Sequence, residues 1–276
     1  MTAEHPSDAP ATTHADGPAA THADDPATTH LDDTAAPGRP GHAAAPARPG
    51  HAAADGRVVD DVGVGPWPGG PDAWPRVPGT ADLDPRYDPD LLAHGDRRNV
   101  VDRYRYWTLE AVVADLDTRR HPFHVAIENW QHDLNIGSVV RTANAFLAAE
   151  VHVVGNRRWN RRGAMVTDRY QHVRHHPTVD DLLAWAATAG PDGAALPVLG
   201  VDNLPGSVAL EGYPLPRACV LLFGQESVGL SDAARAAAVD VLHIAQFGST
   251  RSINAGAAAA IAMHAWVARH AGPPPA

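Results

Sequence analysis

The feature that most constrains this chain is a recurring unit: a short apolar run stops at a glycine-bearing polar turn and resumes as a helix. Cys219-Val220-Leu221-Leu222-Phe223 runs into Gly224-Gln225-Glu226-Ser227-Val228-Gly229-Leu230-Ser231, and Val241 to Ala245 runs into Gln246-Phe247-Gly248-Ser249-Thr250-Arg251-Ser252-Ile253-Asn254-Ala255-Gly256. The upstream segment Asn135 to Phe146 has the same character. Apolar runs ending this way are how α/β sheets build ligand crevices beyond their strand ends. Strands are predicted at Phe123 to Ile127, Val151 to Val154, Val198 to Val201, Cys219 to Phe223 and Val241 to Ala245. Helices fall between and after them, at Ile136 to Leu147, Thr178 to Ala187, Ser231 to Ala238 and Ile253 to His270. This alternation implies an α/β fold with a mostly parallel sheet of about five strands in one domain, residues 121–271.

The chain ahead of that domain has another composition. Residues 1–60 carry nine acidic residues against three arginines and almost no large apolar side chains, with Ala, Pro, Gly, Thr and His filling the rest. Too little apolar surface exists there to offset chain ordering, so a disordered tail is expected. Residues 61–120 form a Pro- and Trp-rich arm that reads as irregular to about residue 95, with Trp67 and Trp74 pinning it to the domain. The arm ends in a helix whose Leu109, Val112, Val113 and Leu116 share one face. Before that helix, Arg97, Arg98, Arg103 and Arg105 are interleaved with Tyr104, Tyr106 and Trp107. This mixture suits phosphates and stacked bases, and equally suits inward-packed aromatics.

Net charge is −10, but six of those charges sit on the tail, and from Arg97 to Arg174 thirteen arginines face eight acids. The folded part therefore holds a basic region inside an acidic protein. Cys219 is the lone cysteine, which excludes an intrachain disulfide and fits a reducing cytoplasm. Its place in an apolar strand makes it a small buried hydrophobe. No Sec-type leader opens the sequence, and the longest apolar stretch, Ala255 to Ala268, falls short of a span, so a soluble protein with no membrane partner is expected. The Walker-type phosphate loop, the nucleophile elbow and the dinucleotide glycine fingerprint are absent from the sequence. The tail histidines lack metal-ligand spacing, and His172, His175 and His176 read as loop histidines, so no metal site is expected.

Three segments remain, Asn135 to Ala143, Leu222 to Ser231 and Ser252 to Ala258. In order and spacing they resemble the three motifs of the SpoU-type RNA ribose 2'-O-methyltransferases of the SPOUT superfamily. The resemblance covers residues 121–270, and Gly256 stands where many relatives have serine. It implies a C-terminal trefoil knot that binds S-adenosyl-L-methionine, and a homodimer with the site at the subunit interface. It also implies a catalytic centre of Arg141, Asn135, Glu226, Ser252 and Asn254. Cofactor contacts would come from Phe223, Gly224, Glu226, Gly229, Ile244, Gln246, Ser252, Ile253 and Asn254. An arginine is a poor base because it stays charged, so Arg141 is assigned to holding the target phosphate and stabilising the developing alkoxide.

The loop Arg157-Arg158-Trp159-Asn160-Arg161-Arg162 places Arg157, Arg158, Arg161 and Arg162 around a tryptophan, a composition fitted to the RNA backbone. The expectation is a cytoplasmic enzyme that methylates a ribose 2'-hydroxyl of tRNA or rRNA. A non-catalytic RNA-binding protein of the same fold and an α/β methyltransferase for a small molecule are the alternatives.

Overall fold

The computed structural model describes residues 63–129 and 135–272. The acidic tail, expected to be disordered, lies outside the described residues. Seven strands form one sheet in the order β3-β2-β1-β6-β4-β7-β5, and every neighbouring pair is parallel. They are β1 (Phe123–Asn129), β2 (Val151–Gly155), β3 (Val173–His176), β4 (Val198–Val201), β5 (Val208–Ala209), β6 (Cys219–Phe223) and β7 (Asp240–His243). The helices are α1 (Pro89–His94), α2 (Leu109–Asp117), α3 (Ile136–Ala145), α4 (Val179–Ala186), α5 (Asp232–Ala237) and α6 (Ala255–His270).

Alternation along the strands sends side chains to two layers. On one face Phe123, Val125, Ile127, Leu221 and Phe223 pack with Ile136 and Val140 of α3 and with Ala262 and Trp266 of α6. On the other, Ala126, Val154, Val220 and Leu222 pack with Leu182 of α4 and Ala234 of α5. Central strands covered on both sides must be apolar throughout, and β6 is buried at all five positions. Cys219 belongs to this core, and burial pushes its thiol up to about 12, which removes any thiolate chemistry at neutral pH. The small residues of α6 are used within the subunit, since Ala259 and Ala262 are fully buried beside Met263 and Trp266.

Two elements depart from the expected count of five strands. β3 is an edge strand whose sequence, Val-Arg-His-His, hides its pairing with β2 behind polar side chains, and β5 has only two residues. His175 and His176 therefore sit on a strand rather than in a loop, and His176 is buried. Its Nε2 lies 2.9 Å from His152 Nδ1, while His152 Nε2 lies 3.1 Å from His124 Nδ1. Burial holds His124 down to about 4 and His152 down to about 2, so both rings stay neutral at physiological pH.

The arm is more ordered than its prolines imply. Pro89 opens α1 at the first helical position, where a missing amide hydrogen costs nothing, and Asp88 caps the helix through Asp90 N and Leu91 N. Trp67 meets the rings of Tyr87 and Tyr106, so it pins the arm to itself. Three of the four arginines between Asp96 and Trp107 are engaged within the arm, while Arg97 is exposed. Arg98 makes two bonds to the fully buried Asp96 carboxylate, at 2.9 and 2.7 Å, and donates to Trp107 O at 2.8 Å. Arg103 pairs with Asp115 at 2.8 Å, and Arg105 donates to Arg98 O at 2.6 Å. Tyr104 and Tyr106 are buried, so this stretch is packing rather than a base-stacking surface.

One close approach sets the position of the basic loop after β2. A Cβ on Gly137 of α3 would lie 2.7 Å from Ala164 N and 2.9 Å from Asn160 O, well inside contact distance. Only glycine lets the main chain of residues 160–164 rest directly on α3.

Candidate active site

The site begins where β6 ends. Beyond Phe223 the chain turns through Gly224 into a small loop closed by two backbone bonds, Gln225 N to Gly229 O at 3.1 Å and Gly229 N to Gln225 O at 2.9 Å. Gly229 closes it with φ +73°, and a Cβ there would lie 2.3 Å from Asp202 Oδ2. That carboxylate, just past β4, accepts Leu230 N at 2.8 Å and so ties the ends of β4 and β6 together. Nearby, Glu128 near the end of β1 is fully buried and accepts Ser231 N at 2.8 Å, at the capped start of α5.

Between these strand ends and the segment leading into α6 lies a cleft of about 230 Å³. Phe223, Gly224, Glu226, Gly229, Ile244, Gln246, Ser252 and Ile253 line it, each anticipated from sequence. Asp202, Asn203 and Leu204 line it as well, and no motif singles them out. They follow β4, a correctly placed strand, so the strand-end rule applied there too finds them. The side-chain oxygen Oε1 of Gln246 is buried and has no hydrogen-bond partner among the described residues. A buried acceptor left open on a cleft wall awaits a donor.

The three distant segments meet at one carboxylate. Glu226 Oε2 accepts from Asn135 Nδ2 at 2.8 Å, from Ala255 N at 2.8 Å and from Asn254 Nδ2 at 3.3 Å. Asn254 Nδ2 also donates to Asn135 Oδ1 at 2.9 Å. Asn254 Oδ1 accepts Ala257 N at 3.1 Å, so this residue both caps α6 and joins the polar node. Asn135 stands at the N-cap position of α3, but its side chain makes no capping bond and reaches Glu226 instead. Placing an acceptor at the first amides of α6 also satisfies donors that a helix start leaves open. A Cβ on Gly256 would come 3.1 Å from Asn254 Oδ1 and 3.5 Å from Asn135 Oδ1, so the small residue keeps the node compact.

Arg141 lies outside the cleft lining. It is exposed on α3, one turn beyond Ser138, whose Cβ lies 3.6 Å from the Cβ position of Gly256. Its guanidinium has no hydrogen-bond or ion-pair partner among the described residues, so the salt bridge that would make it structural is missing. In the loop after β2, Arg157, Arg158, Arg161 and Arg162 are all exposed. Arg161 is spoken for, pairing with Asp168 at 3.2 Å and lying over the Trp159 ring at 5.5 Å. The guanidinium groups of Arg157 and Arg162 have no such partner among the described residues.

A parallel sheet with a polar-walled cleft beyond three adjacent strand ends defines an α/β protein of the class that takes a nucleotide-like ligand at its carboxyl edge. Within that class, the chain belongs to the SpoU rRNA Methylase family, whose model matches residues 122–264. The tRNA (guanosine(18)-2'-O)-methyltransferase of Escherichia coli K12 is 27% identical over 161 residues, which are 57% of this chain and 68% of that protein. The SpoU methyltransferase AviRb from Streptomyces viridochromogenes, in complex with its cofactor AdoMet, superimposes with a TM-score of 0.51 at 23% identity. That match covers 58% of this chain and spans 62% of AviRb. The A. aeolicus TrmH/SpoU tRNA modifying enzyme gives a TM-score of 0.51 at 17% identity, over 59% of this chain and 82% of that one. Among the described residues no helix is long and apolar enough to cross a membrane.

Proposed function

We propose that this chain methylates a ribose 2'-hydroxyl of tRNA or rRNA, with S-adenosyl-L-methionine as methyl donor. The observation that carries the reading is the convergence of Asn135 Nδ2, Asn254 Nδ2 and Ala255 N on one carboxylate oxygen of Glu226 beside a strand-end cleft. The cofactor fits what is there: the cleft has Gln246 Oε1 buried without a partner, Asp202 and Asn203 on one wall, and the apolar Val201, Phe223, Ile244 and Ile253 for a ring. When bound, S-adenosyl-L-methionine supplies a methyl group on a sulfonium, already attached to a good leaving group.

The protein's share is alignment. Phe223, Gly224, Gln246 and Ile253 hold the donor, while Glu226, Asn135 and Asn254 lock the β6 loop to the start of α6 so the cleft keeps its shape. Arg141 holds the target phosphate through its paired N–H donors and stabilises the oxyanion as the 2'-oxygen attacks. Arg141 stays charged and cannot take the hydroxyl proton, which would leave to a phosphate oxygen or to water. Arg157 and Arg162 bind the RNA backbone beside α3. The trefoil knot and the homodimer belong to the same proposal, as does a cytoplasmic location.

Calorimetry with S-adenosylhomocysteine and transfer of labelled methyl groups to bulk tRNA and rRNA test the reading together. Micromolar binding with label in alkali-resistant dinucleotides supports it. Binding without label in RNA moves the activity to a small molecule, and no binding leaves a non-catalytic RNA-binding protein.

A further inference from the structure

The opposite face of the sheet carries a cluster that methyl transfer does not use. His124 and His152 project from neighbouring strands on the α4 side, and Glu150 ends the turn that feeds β2. His124 Nδ1 lies 3.1 Å from His152 Nε2, and Glu150 Oε2 lies 3.9 Å from the same nitrogen. One ligand atom from each residue falls within 4.8 Å of the other two. From these distances we propose that His124, His152 and Glu150 form a binding site for one divalent transition-metal ion of the Zn²⁺ type.

The convergence is what a hydrogen bond alone leaves unaccounted for. A ring nitrogen has one lone pair or one proton, so His152 Nε2 can satisfy only one of its two neighbours at a time. An ion between the three satisfies all of them. Two nitrogens on a tetrahedral ion with bonds of about 2.05 Å stand about 3.3 Å apart, close to the separation found here. The carboxylate must close by roughly half an ångström on His152 and by at most about 1.5 Å on His124, within reach of a glutamate's side-chain torsions. Two imidazoles and one carboxylate favour Zn²⁺ over Mg²⁺ or Ca²⁺, which prefer all-oxygen sites.

The surroundings already resemble an outer shell. His152 Nδ1 is 2.9 Å from His176 Nε2, the bond that would fix the tautomer and aim Nε2 at the ion. Trp185 packs on His152 with ring centroids 4.1 Å apart. Arg174 opposes a cation, but its Nε is bound to the other oxygen of Glu150, Oε1, at 3.2 Å, which leaves Oε2 turned toward the histidines. A bound ion would clamp the entry of β2 to the first residues of β1. The site stands whether or not the methyltransferase reading holds, because it shares no residue with the cleft.

The test uses the full chain, stripped with EDTA and titrated with Co²⁺, whose visible absorption reports coordination. Six histidines precede residue 63 and can take up ions themselves, so wild type is compared with His124→Gln and Glu150→Gln, which keep all six. Wild type is expected to bind one equivalent more than either variant, with the absorption of four-coordinate Co²⁺, displaced by Zn²⁺. Loss of a ligand should weaken this class of site by at least roughly 100-fold. Equal stoichiometry and equal spectra in all three proteins overturn the proposal. Proton–nitrogen NMR of the imidazole rings gives an independent reading in the wild type alone. The His124 and His152 nitrogens must shift on adding Zn²⁺, and rings that stay in place overturn it as well.

Discussion

Two groups of arginines lie within eighty residues of each other and have opposite fates. In the arm, Arg98, Arg103 and Arg105 are consumed by Asp96, Asp115 and main-chain carbonyls. Around α3, Arg141, Arg157 and Arg162 stand exposed without partners among the described residues. Seven of the thirteen arginines from Arg97 to Arg174 are ion-paired, Arg98, Arg103, Arg105, Arg119, Arg120, Arg161 and Arg174, so a count of arginines overstates how many guanidinium groups are open to a new partner. Density of positive charge does not mark a nucleic-acid site; unspent donors do.

The sharpest way to break this contrast is Arg141→Ala. Methyl transfer should fall by about 10²–10³-fold, the loss typical when one donor to a developing oxyanion is removed. S-adenosylhomocysteine affinity, followed by calorimetry, should stay within a few-fold. Turnover near the wild-type rate would refute the role given to this guanidinium.

The arm should respond in stability instead. Asp96→Asn leaves Arg98 without its buried counter-charge and should cost about 3 kcal/mol in urea unfolding. Burial pushes the Asp96 pKa up, yet bonds from Arg98 and from Tyr106 N outweigh it and hold the carboxyl below its ordinary 3.8. A depressed folded-state value gives stability that is complete above about pH 4 and is lost as pH falls through the folded pKa. The variant should therefore show a shallower fall in stability below pH 4, and an unchanged slope would detach that effect from Asp96.

A smaller effect separates the two groups directly. Arg157→Ala and Arg162→Ala should each weaken RNA binding several-fold and lower the slope of log affinity against log salt by roughly 0.7–0.9. Arg103→Ala should leave both unchanged, and equal losses in all three would erase the distinction. The least change is expected from deleting residues 1–60, which should leave activity within a few-fold.

Most of the sheet is legible in the amino-acid order. β4 and β6 match their expected bounds, because central strands of a parallel sheet are apolar throughout and stop at conspicuous polar turns. β3 and α1 are not legible in this way, since an edge strand tolerates Arg and His and a helix can begin on the proline that seems to forbid it. In the site, the three motifs contain the residues that meet at Glu226 but give no sign of the main-chain amide of Ala255, because a capping bond leaves no trace in composition. The arm's arginines are undecidable from order alone, since the acid that neutralises Arg103 lies twelve residues on. The histidine cluster escapes sequence reasoning for the same reason, as its members come from three strands of the sheet and the turn before β2.

Gly137 leaves no room for even a methyl group between α3 and the chain at Asn160 to Ala164. The separation between the backbone of α3, which carries Arg141, and that of the loop, which carries Arg162, is thus set by peptide units alone, with no side chain in between to act as an adjustable shim. On the proposed function, a polynucleotide held at both places would be measured against that fixed backbone separation. The sugar that reached the cleft would then be set by distance along the strand, ahead of any reading of its bases.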